Sequence, residues 1–195
     1  GEQLADVTQR VFDTAQESAG GLQATAQLYG RLEASTRSLL KTGDEVASIV
    51  ETINKAYVVS GATAAEAAGS ITQLSQALGA GALRGEEFNS VNAAAPRLMQ
   101  ALADSIGVTR GELRGLAEEG KLTSDVLVTA FQQQAAKIDA EFDKMLRTFE
   151  QKGVMAANNL AAAFGSNGPL NQGVQQLGDL MVDASESAEL FINAG

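Results

Sequence analysis

Two acidic pairs and one glycine-rich turn are the places in this sequence where the residue types could support chemistry. The pairs are Glu86-Glu87 and Glu118-Glu119, and the turn is Gly79-Ala80-Gly81. Adjacent acids on a helix point about 100° apart, so neither pair can present two carboxylates to one substrate. The turn lacks the Gly-Lys-Ser/Thr of a phosphate-binding loop, and no predicted strand precedes it. We therefore predict first-turn acids at Glu86-Glu87 and a solvated face at Glu118-Glu119.

The absence of two residue types limits the chemistry further. The chain has no Cys and no His among its 195 residues. This excludes disulfides, thiolate nucleophiles, Ser-His-Asp triads and zinc sites built from these ligands. The sequence therefore predicts a protein that is not an enzyme, with no catalytic residue, no cofactor and no metal.

The segment from Ala101 to Leu122 has the pattern of a helix-turn-helix, in which a second short helix would carry Arg110 and Arg114. From Arg97 to Lys121, however, four basic residues are balanced by four acidic ones, and the whole chain carries a net charge of −10. Phosphate contacts dominate DNA affinity, so a groove-reading surface should be basic. The alternative, which we favour, is a tight helical corner with Val108 in the core and no specific nucleic acid as partner.

Sequence patterns typical of helices occur along the whole chain, so we expect helices to position any functional side chain. Only 5% of the residues are aromatic and only two are proline, so an Ala-rich chain of this kind favours closely packed helices. Capping boxes predict three helix starts, at Thr42–Glu45, Thr63–Glu66 and Thr109–Glu112. Short helices are predicted at about Gly85–Ala94 and from Pro96 onward. Two earlier helices are predicted from Glu2 to about Ser18, burying Leu4, Val7, Val11 and Ala15, and from Leu22 to near Lys41, burying Leu22, Ala26, Tyr29, Leu32 and Leu39.

A heptad seam marks a long final helix, predicted from about Ser124 to Phe164. The seam residues Phe131, Ala135, Ile138, Phe142, Met145 and Phe149 are spaced 4, 3, 4, 3, 4 along the chain, which is the pattern of a coiled coil. The alternative of a lipid-facing stripe is less favoured, because the other faces of this helix are charged. The helix is too long for one small domain, so part of it should project or pack against another chain. The predicted helix-bundling or partner face consists of Phe131, Ile138, Phe142, Met145 and Phe149.

These signals predict an all-α fold, in which a compact multi-helix domain of short Ala-rich helices is followed by a long coiled-coil-like helix. The chain begins at Gly1 inside a helical pattern, so we expect it to be a piece of a longer protein. The predicted parts are an N-terminal helix that ends an upstream helical region (1–20), the compact domain (21–123), the heptad-patterned helix (124–164) and an amphipathic segment (165–195). A second predicted partner contact is an exposed corner formed by Arg84, Glu86, Glu118 and Lys121.

The order and spacing of several short motifs resemble the N-terminal tape measure domain of long-tailed bacteriophages and prophages. The resemblance covers about Gly21 to Phe164. The motifs that carry it are Tyr29-Gly30-Arg31-Leu32, Val58-Val59-Ser60-Gly61-Ala62-Thr63, Gln73-Leu74-Ser75-Gln76-Ala77-Leu78, Leu83-Arg84-Gly85-Glu86-Glu87, Pro96 with Leu98, Ala103 to Ile106-Gly107-Val108-Thr109, Glu112-Leu113, Glu119-Gly120-Lys121-Leu122-Thr123 and Val126-Leu127.

The resemblance implies a virion structural protein of a phage or prophage tail. In this family a long helical chain lies in the lumen of the growing tail, sets the tail length during assembly and is ejected with the DNA at infection. A chain of 195 residues cannot measure a tail, so it would represent the compact region beside the ruler and its first helix. The family defines no catalytic or measuring residue in this region.

The resemblance also implies partners and locations. The partners would be the tail tube and the tail assembly chaperone proteins, with self-association into a helical bundle and a host inner-membrane protein during injection as further expectations. The protein would be made in the host cytoplasm, reside in the virion and reach the host envelope during infection. The alternatives are a host inner-membrane receptor-binding or membrane-interacting module for DNA injection and, less favoured, a helix-turn-helix DNA-binding protein.

Overall fold

The structure, a computed structural model, describes residues 4–37, 39–40 and 42–164, with the backbone alone given for residues 148–164. These residues form α-helices and no strand apart from one isolated antiparallel bridge between Ala82 and Thr123. The predicted all-α class is therefore confirmed for this part of the chain. In chain order the helices are α1 (Leu4–Glu17), α2 (Leu22–Ser35), α3 (Gly43–Val59), α4 (Ala64–Ala80), α5 (Gly85–Ala94), α6 (Pro96–Ile106), α7 (Leu113–Glu118) and α8 (Ser124–Phe164).

Side-chain caps determine where two central helices begin. Thr42 accepts a hydrogen bond from the backbone N–H of Glu45, and the Glu45 carboxylate accepts one from the Thr42 N–H, so α3 begins with a complete capping box. The Thr63–Glu66 pair starts α4 in the same way. These bonds satisfy backbone donors that have no partner within the helix.

The third predicted capping box forms, but it does not open a helix directly. Thr109 and Glu112 exchange both hydrogen bonds, yet α7 starts only at Leu113. The Glu112 N–H also donates to the Thr109 carbonyl at 3.1 Å, which closes a tight turn ahead of the helix. The box therefore shapes the corner that follows α6, and α7 has only six residues.

Glycine and proline mark other helix ends as the sequence predicts. Gly81 ends α4 with φ +88° and Gly107 ends α6 with φ +74°, both in the left-handed region that a side chain disfavours. Pro96 is the first residue of α6, where its missing N–H costs no hydrogen bond.

The second helix is shorter than predicted. It ends at Ser35 rather than near Lys41, and Thr36 caps it with its backbone N–H bonded to the Leu32 carbonyl. The prediction of its buried face was right for two residues and wrong for Leu22, Ala26 and Leu39, which are exposed. The face actually buried is Ala24, Thr25, Leu28, Tyr29 and Leu32.

The first helix buries less than predicted. Val11 and Ala15 are buried, Val7 is half-buried, and Leu4 is 83% exposed, so the prediction for Leu4 was wrong. Leu4 is the first residue of α1 and is therefore part of the helix's first turn. Phe12, on the same helix, is also exposed.

The chain divides into two compact units, Gly1–Phe142 and Asp143–Gly195. Helix α1 contacts both α2 and α3, so it is part of the first unit and does not stand apart as the predicted segment 1–20. The first unit also extends beyond residue 123, because the start of α8 contributes Leu127, Val128, Phe131 and Ile138 to the same core. The predicted segment 165–195 lies outside the described residues, and the coiled-coil character of α8 stays a prediction.

The core of the first unit consists mainly of aliphatic side chains. Its largest fully buried members are Tyr57, Phe131, Leu28, Leu32, Ile49, Ile53, Ile71, Leu74, Leu78, Leu83, Leu98 and Met99. Tyr57 keeps its hydroxyl in this core by a 2.7 Å hydrogen bond to the hydroxyl of Ser70. Burial raises the pKa of Tyr57 far above its ordinary value, so the phenol stays neutral and serves packing.

Candidate interaction surfaces

The N-terminal part of α8 is held to α3 by a buried lysine. The Lys55 ammonium lies 2.5 Å from the Glu51 carboxylate, one turn earlier on α3, and 3.1 Å from the Asp139 carboxylate on α8. It also lies 5.4 Å from the centre of the Phe142 ring, within the range of a cation–π contact. Burial alone would lower the pKa of Lys55, but the hydrogen bonds and charges of Glu51 and Asp139 raise it overall. The lysine therefore stays charged and links the two helices.

Two further ion pairs join α8 to α6. The Arg97 guanidinium binds both carboxylate oxygens of Glu141, and Lys137 lies 3.1 Å from Asp104. Hydrogen bonds from Gln100 and Lys137 lower the pKa of Asp104, which keeps this carboxylate ionised. We call the three contacts made by Lys55, Arg97 and Lys137 the α8 clamp. No pattern in the sequence indicates the α8 clamp, since its helix-to-helix partners lie 33 to 84 residues apart in the chain.

The predicted helix-bundling face is divided between the core and the second unit. Phe131, Ile138 and Phe142 are each at most 2% exposed and pack within the first unit. Met145 is half-buried in the second unit, and the side chain of Phe149 lies outside the described residues. Three of the five side chains are thus occupied by packing inside this chain, and the use of this face for helix bundling stays a prediction.

The predicted corner is exposed and is built by two adjacent loops. The Leu83 N–H donates to the Leu122 carbonyl at 2.8 Å, next to the bridge between Ala82 and Thr123. The Arg84 guanidinium lies directly over Gly120, where an added Cβ would come within 2.3 Å of it. Arg84 and Lys121 are therefore brought to the same corner.

The two acids predicted at this corner are less closely tied to it. Glu86 and Glu118 are exposed, and within the described part of the chain neither forms an ion pair. Lys121 pairs instead with Glu119, at 2.6 Å. The use of this corner as a partner contact stays a prediction.

Two arginines of the helix-turn-helix pattern bind to α5. The Arg110 Nη2 donates to the Asn92 side-chain oxygen at 3.1 Å, and the Arg114 Nη2 donates to the Asn89 oxygen at 2.9 Å. Asn89 and Asn92 are three residues apart on α5, a spacing that places them on one face and could have indicated this contact. The predicted recognition helix is therefore a six-residue helix packed on α5, with Val108 partly buried against the core as expected of a helical corner.

Other kinds of site are absent where the structure allows a search. No group of three or more acidic side chains that could hold a metal ion occurs among the described residues. None of the helices, in the part of the chain that the structure describes, combines the length and the apolar character that crossing a bilayer requires.

Comparison with known proteins supplies the functional context for these surfaces. A family model described as tape measure protein matches residues 1–182, which is nearly the whole chain. No curated protein matches the sequence, and no solved structure matches it. The match includes the segment that carries the motifs noted above and extends beyond it at both ends.

Proposed function

Because this chain belongs to the tape measure protein family, whose members are structural components of the bacteriophage tail, we propose that it helps to set tail length during assembly and leaves the tail with the DNA at infection. The observation that carries the proposal is a compact helical unit with the start of a long helix clamped into it. Helix α8 runs over Ser124–Phe164, and its part up to Phe142 belongs to the core of the first unit.

A helical ruler needs a fixed origin, since each residue adds only about 1.5 Å of length. The α8 clamp supplies such an origin in this proposal, because three ion pairs and the buried side chains of α8 hold the helix at a defined register. A slip by one residue would rotate the helix by about 100° and separate all of these partners at once. The compact unit is therefore proposed as the end from which length is counted.

The charge of the chain supports a role in a channel that DNA traverses. The net charge is −10, and like charges repel, so this surface would not retain DNA in transit.

We propose the tail tube subunits and the tail assembly chaperones as partners during assembly, and a host inner-membrane protein as a contact after ejection. Self-association through Met145 and Phe149 belongs to the same proposal, and Met145→Asp should then lower the mass of any helical bundle measured by light scattering.

A stop codon early in this coding segment tests the assembly role. In the phage or prophage that carries the gene, the expected result is the loss of tails of uniform length, while capsids still form. Supplying the intact gene in trans should restore them, and electron microscopy of the lysate reads out both conditions. Tails of normal length and number in the mutant lysate would contradict the proposal.

The ejection role has a separate test. Particles triggered to release their DNA in vitro should lose this protein from the tail, and gel analysis of sedimented particles before and after release would show it. Retention of the full amount after DNA release would contradict ejection but leave the assembly role standing.

A further inference from the structure

Three exposed arginines line the contact between α5 and α7. The hydrogen bonds pair Asn92 with Arg110 and Asn89 with Arg114, and Arg84 lies over Gly120. The pairs run in opposite chain directions, so α5 and the segment 110–120 lie antiparallel. We call Arg84, Arg110 and Arg114 the arginine face.

The charge of the arginine face is not neutralised within its own chain. In the described residues none of its three guanidinium groups lies within ion-pair distance of a carboxylate, and the two asparagine oxygens that hold Arg110 and Arg114 are neutral. Elsewhere in the first unit most basic side chains are ion-paired, namely Arg10, Arg37, Lys55, Arg97, Lys121 and Lys137. Side chains that are oriented but not neutralised suit an anionic partner, since guanidinium groups bind carboxylates in a defined geometry.

A groove of the opposite charge lies between α1 and α3. We call it the acidic groove, and its carboxylates come from Asp6, Asp13, Glu17, Asp44 and Glu51. Arg10 also lines the groove and pairs with Asp44, and Glu51 pairs with Lys55. Within the described chain Asp6, Asp13 and Glu17 make no ion pair. Burial raises the pKa of Glu17, and the nearby charges of Glu51 and Asp13 raise it further.

The packing order of the helices separates these two surfaces. Helix α1 packs on α2, α2 on α4, α4 on α5, and α5 on α7. Helix α3, the other wall of the groove, packs on α6, and α6 packs on α5, so along this shorter series of contacts one helix lies between the groove and the arginine face. The arginine face and the acidic groove are built on different helices. We therefore take the acidic groove of a second copy as the surface that complements the arginine face.

We infer that the arginine face of one copy of this protein binds the acidic groove of a second copy, head to tail. The contact joins two different surfaces, so it generates a ring if the rotation between copies closes and an open chain if it does not. Nucleic acid fits the arginine face less well, because Glu86 on α5 and Glu118 on α7 leave it with little net positive charge, and nucleic-acid affinity rests on the number of phosphates neutralised. The inference goes beyond the proposed function and does not depend on it.

Sedimentation velocity of the full chain tests the inference, with the parent chain and every variant carrying Met145→Asp so that the apolar self-association proposed above does not contribute. At low salt the average mass should rise with protein concentration, and it should return to that of the monomer at high salt, because exposed charge pairs are screened. Arg114→Glu should weaken the association by about tenfold or more, since it places like charges together. Arg31→Glu is the matched control, because it makes the same charge change at an exposed arginine of α2 outside both surfaces, and it should associate like the parent chain.

Mixing two variants tests the head-to-tail geometry. Arg114→Glu damages the arginine face, and the double variant Asp6→Asn, Asp13→Asn damages the groove, so each alone should stay monomeric. An equimolar mixture should form dimers and nothing larger, because only one intact face and one intact groove meet. Circular dichroism melts check that both variants remain folded.

Three results would overturn the inference. The first is a chain that remains monomeric at every concentration in low salt. The second is an association that Arg114→Glu leaves unchanged. The third is a monomeric chain that binds duplex DNA through Arg114, which would assign the arginine face to nucleic acid.

Discussion

Asn54 shows how one polar residue can define the path of the chain between two helices. Its side-chain nitrogen donates to the hydroxyls of Ser18, at 3.0 Å, and Thr25, at 2.9 Å, and so ties the end of α1 and the start of α2 to α3. All three side chains are buried, so these hydrogen bonds have little competition from water. The turn at Gly20 passes directly over this amide.

Gly20→Ala is predicted to destabilise the first unit by about 1–3 kcal/mol, the usual cost of overpacking a core. An added Cβ would lie 2.3 Å from the Asn54 nitrogen and 2.9 Å from the Thr25 hydroxyl, so the buried bonds must distort. Urea unfolding followed by circular dichroism measures the loss. Gly21→Ala is the control, since nothing lies within 4 Å of its added Cβ and an N-cap glycine is replaced there at modest cost. Equal losses in the two variants would show that the Asn54 contact is not the cause.

At the residue scale, the sequence predicts where helices end better than it predicts long-range contacts between side chains. The Gly20-Gly21 break between two helices was predicted from residue type alone and is confirmed. The role of Asn54 was not predicted, because its partners lie 36 and 29 residues away and a lone asparagine in a helix carries no signal of them. The same holds for Arg97 and Glu141, which are 44 residues apart.

At the scale of the helices, the capping box that starts α4 should make the stability of the protein depend on pH. The Glu66 carboxylate accepts hydrogen bonds from the backbone N–H and the hydroxyl of Thr63, and these lower the pKa of Glu66 below its ordinary value of 4.5. A carboxyl group with a lowered folded pKa contributes stability above its unfolded pKa, and this contribution is lost as pH falls through the folded value.

Glu66→Gln should therefore lower the melting temperature most near neutral pH. The difference from the unaltered chain should shrink as the pH falls below the ordinary pKa of 4.5, because the original carboxylate becomes protonated and loses the advantage of its charge. Thermal melts across this range measure it. Glu118→Gln serves as the control because its carboxylate takes no part in a capping box. A difference that stays constant down to acid pH would contradict the account.

Breaking the α8 clamp should lower the free energy of unfolding of the first unit. Lys55→Met should destabilise the first unit by on the order of 1–2 kcal/mol, a value reduced from that of a fully buried pair because Asp139 is 44% exposed. In a double-mutant cycle with Asp139→Asn, we expect a coupling energy of about 0.5 kcal/mol or more.

The exposed Lys121–Glu119 pair is the control for this cycle. Its side chains are 64% and 58% exposed, so its coupling energy should be close to zero. Chemical denaturation of the single and double variants provides both cycles. Equal coupling in the two pairs would show that the Lys55 contact has no special role in holding α8.

The position of the apolar seam on α8 was predicted from the sequence, but the surface against which it packs was not. The spacing from Phe131 to Phe149 predicts a continuous apolar stripe on one helix, and the stripe lies on α8 as predicted. A stripe of this kind looks the same whether it faces another chain or the chain's own core. The long-range packing of α8 on the first unit, which buries Phe131, Ile138 and Phe142, cannot be read from periodicity.

For the whole molecule, the composition predicted the fold class and the motifs predicted the family. The Ala-rich, aromatic-poor sequence predicted an all-helical chain, and the described residues confirm it. The division into units was not predicted, because it depends on how far along α8 the clamp extends. The helix start predicted at about Ser124 sets the predicted end of the compact domain, whereas the compact unit ends at Phe142.

The measurement that tests the central claim most directly is tail length in a phage whose gene carries a lengthened α8. Four additional copies of the stretch 143–163, which keeps the heptad phase, add ~84 residues and should lengthen the tail by about 130 Å at 1.5 Å per residue. Electron microscopy of purified particles measures the mean length against the unaltered phage. Particles with intact tails of unchanged length would contradict a ruler that continues from α8.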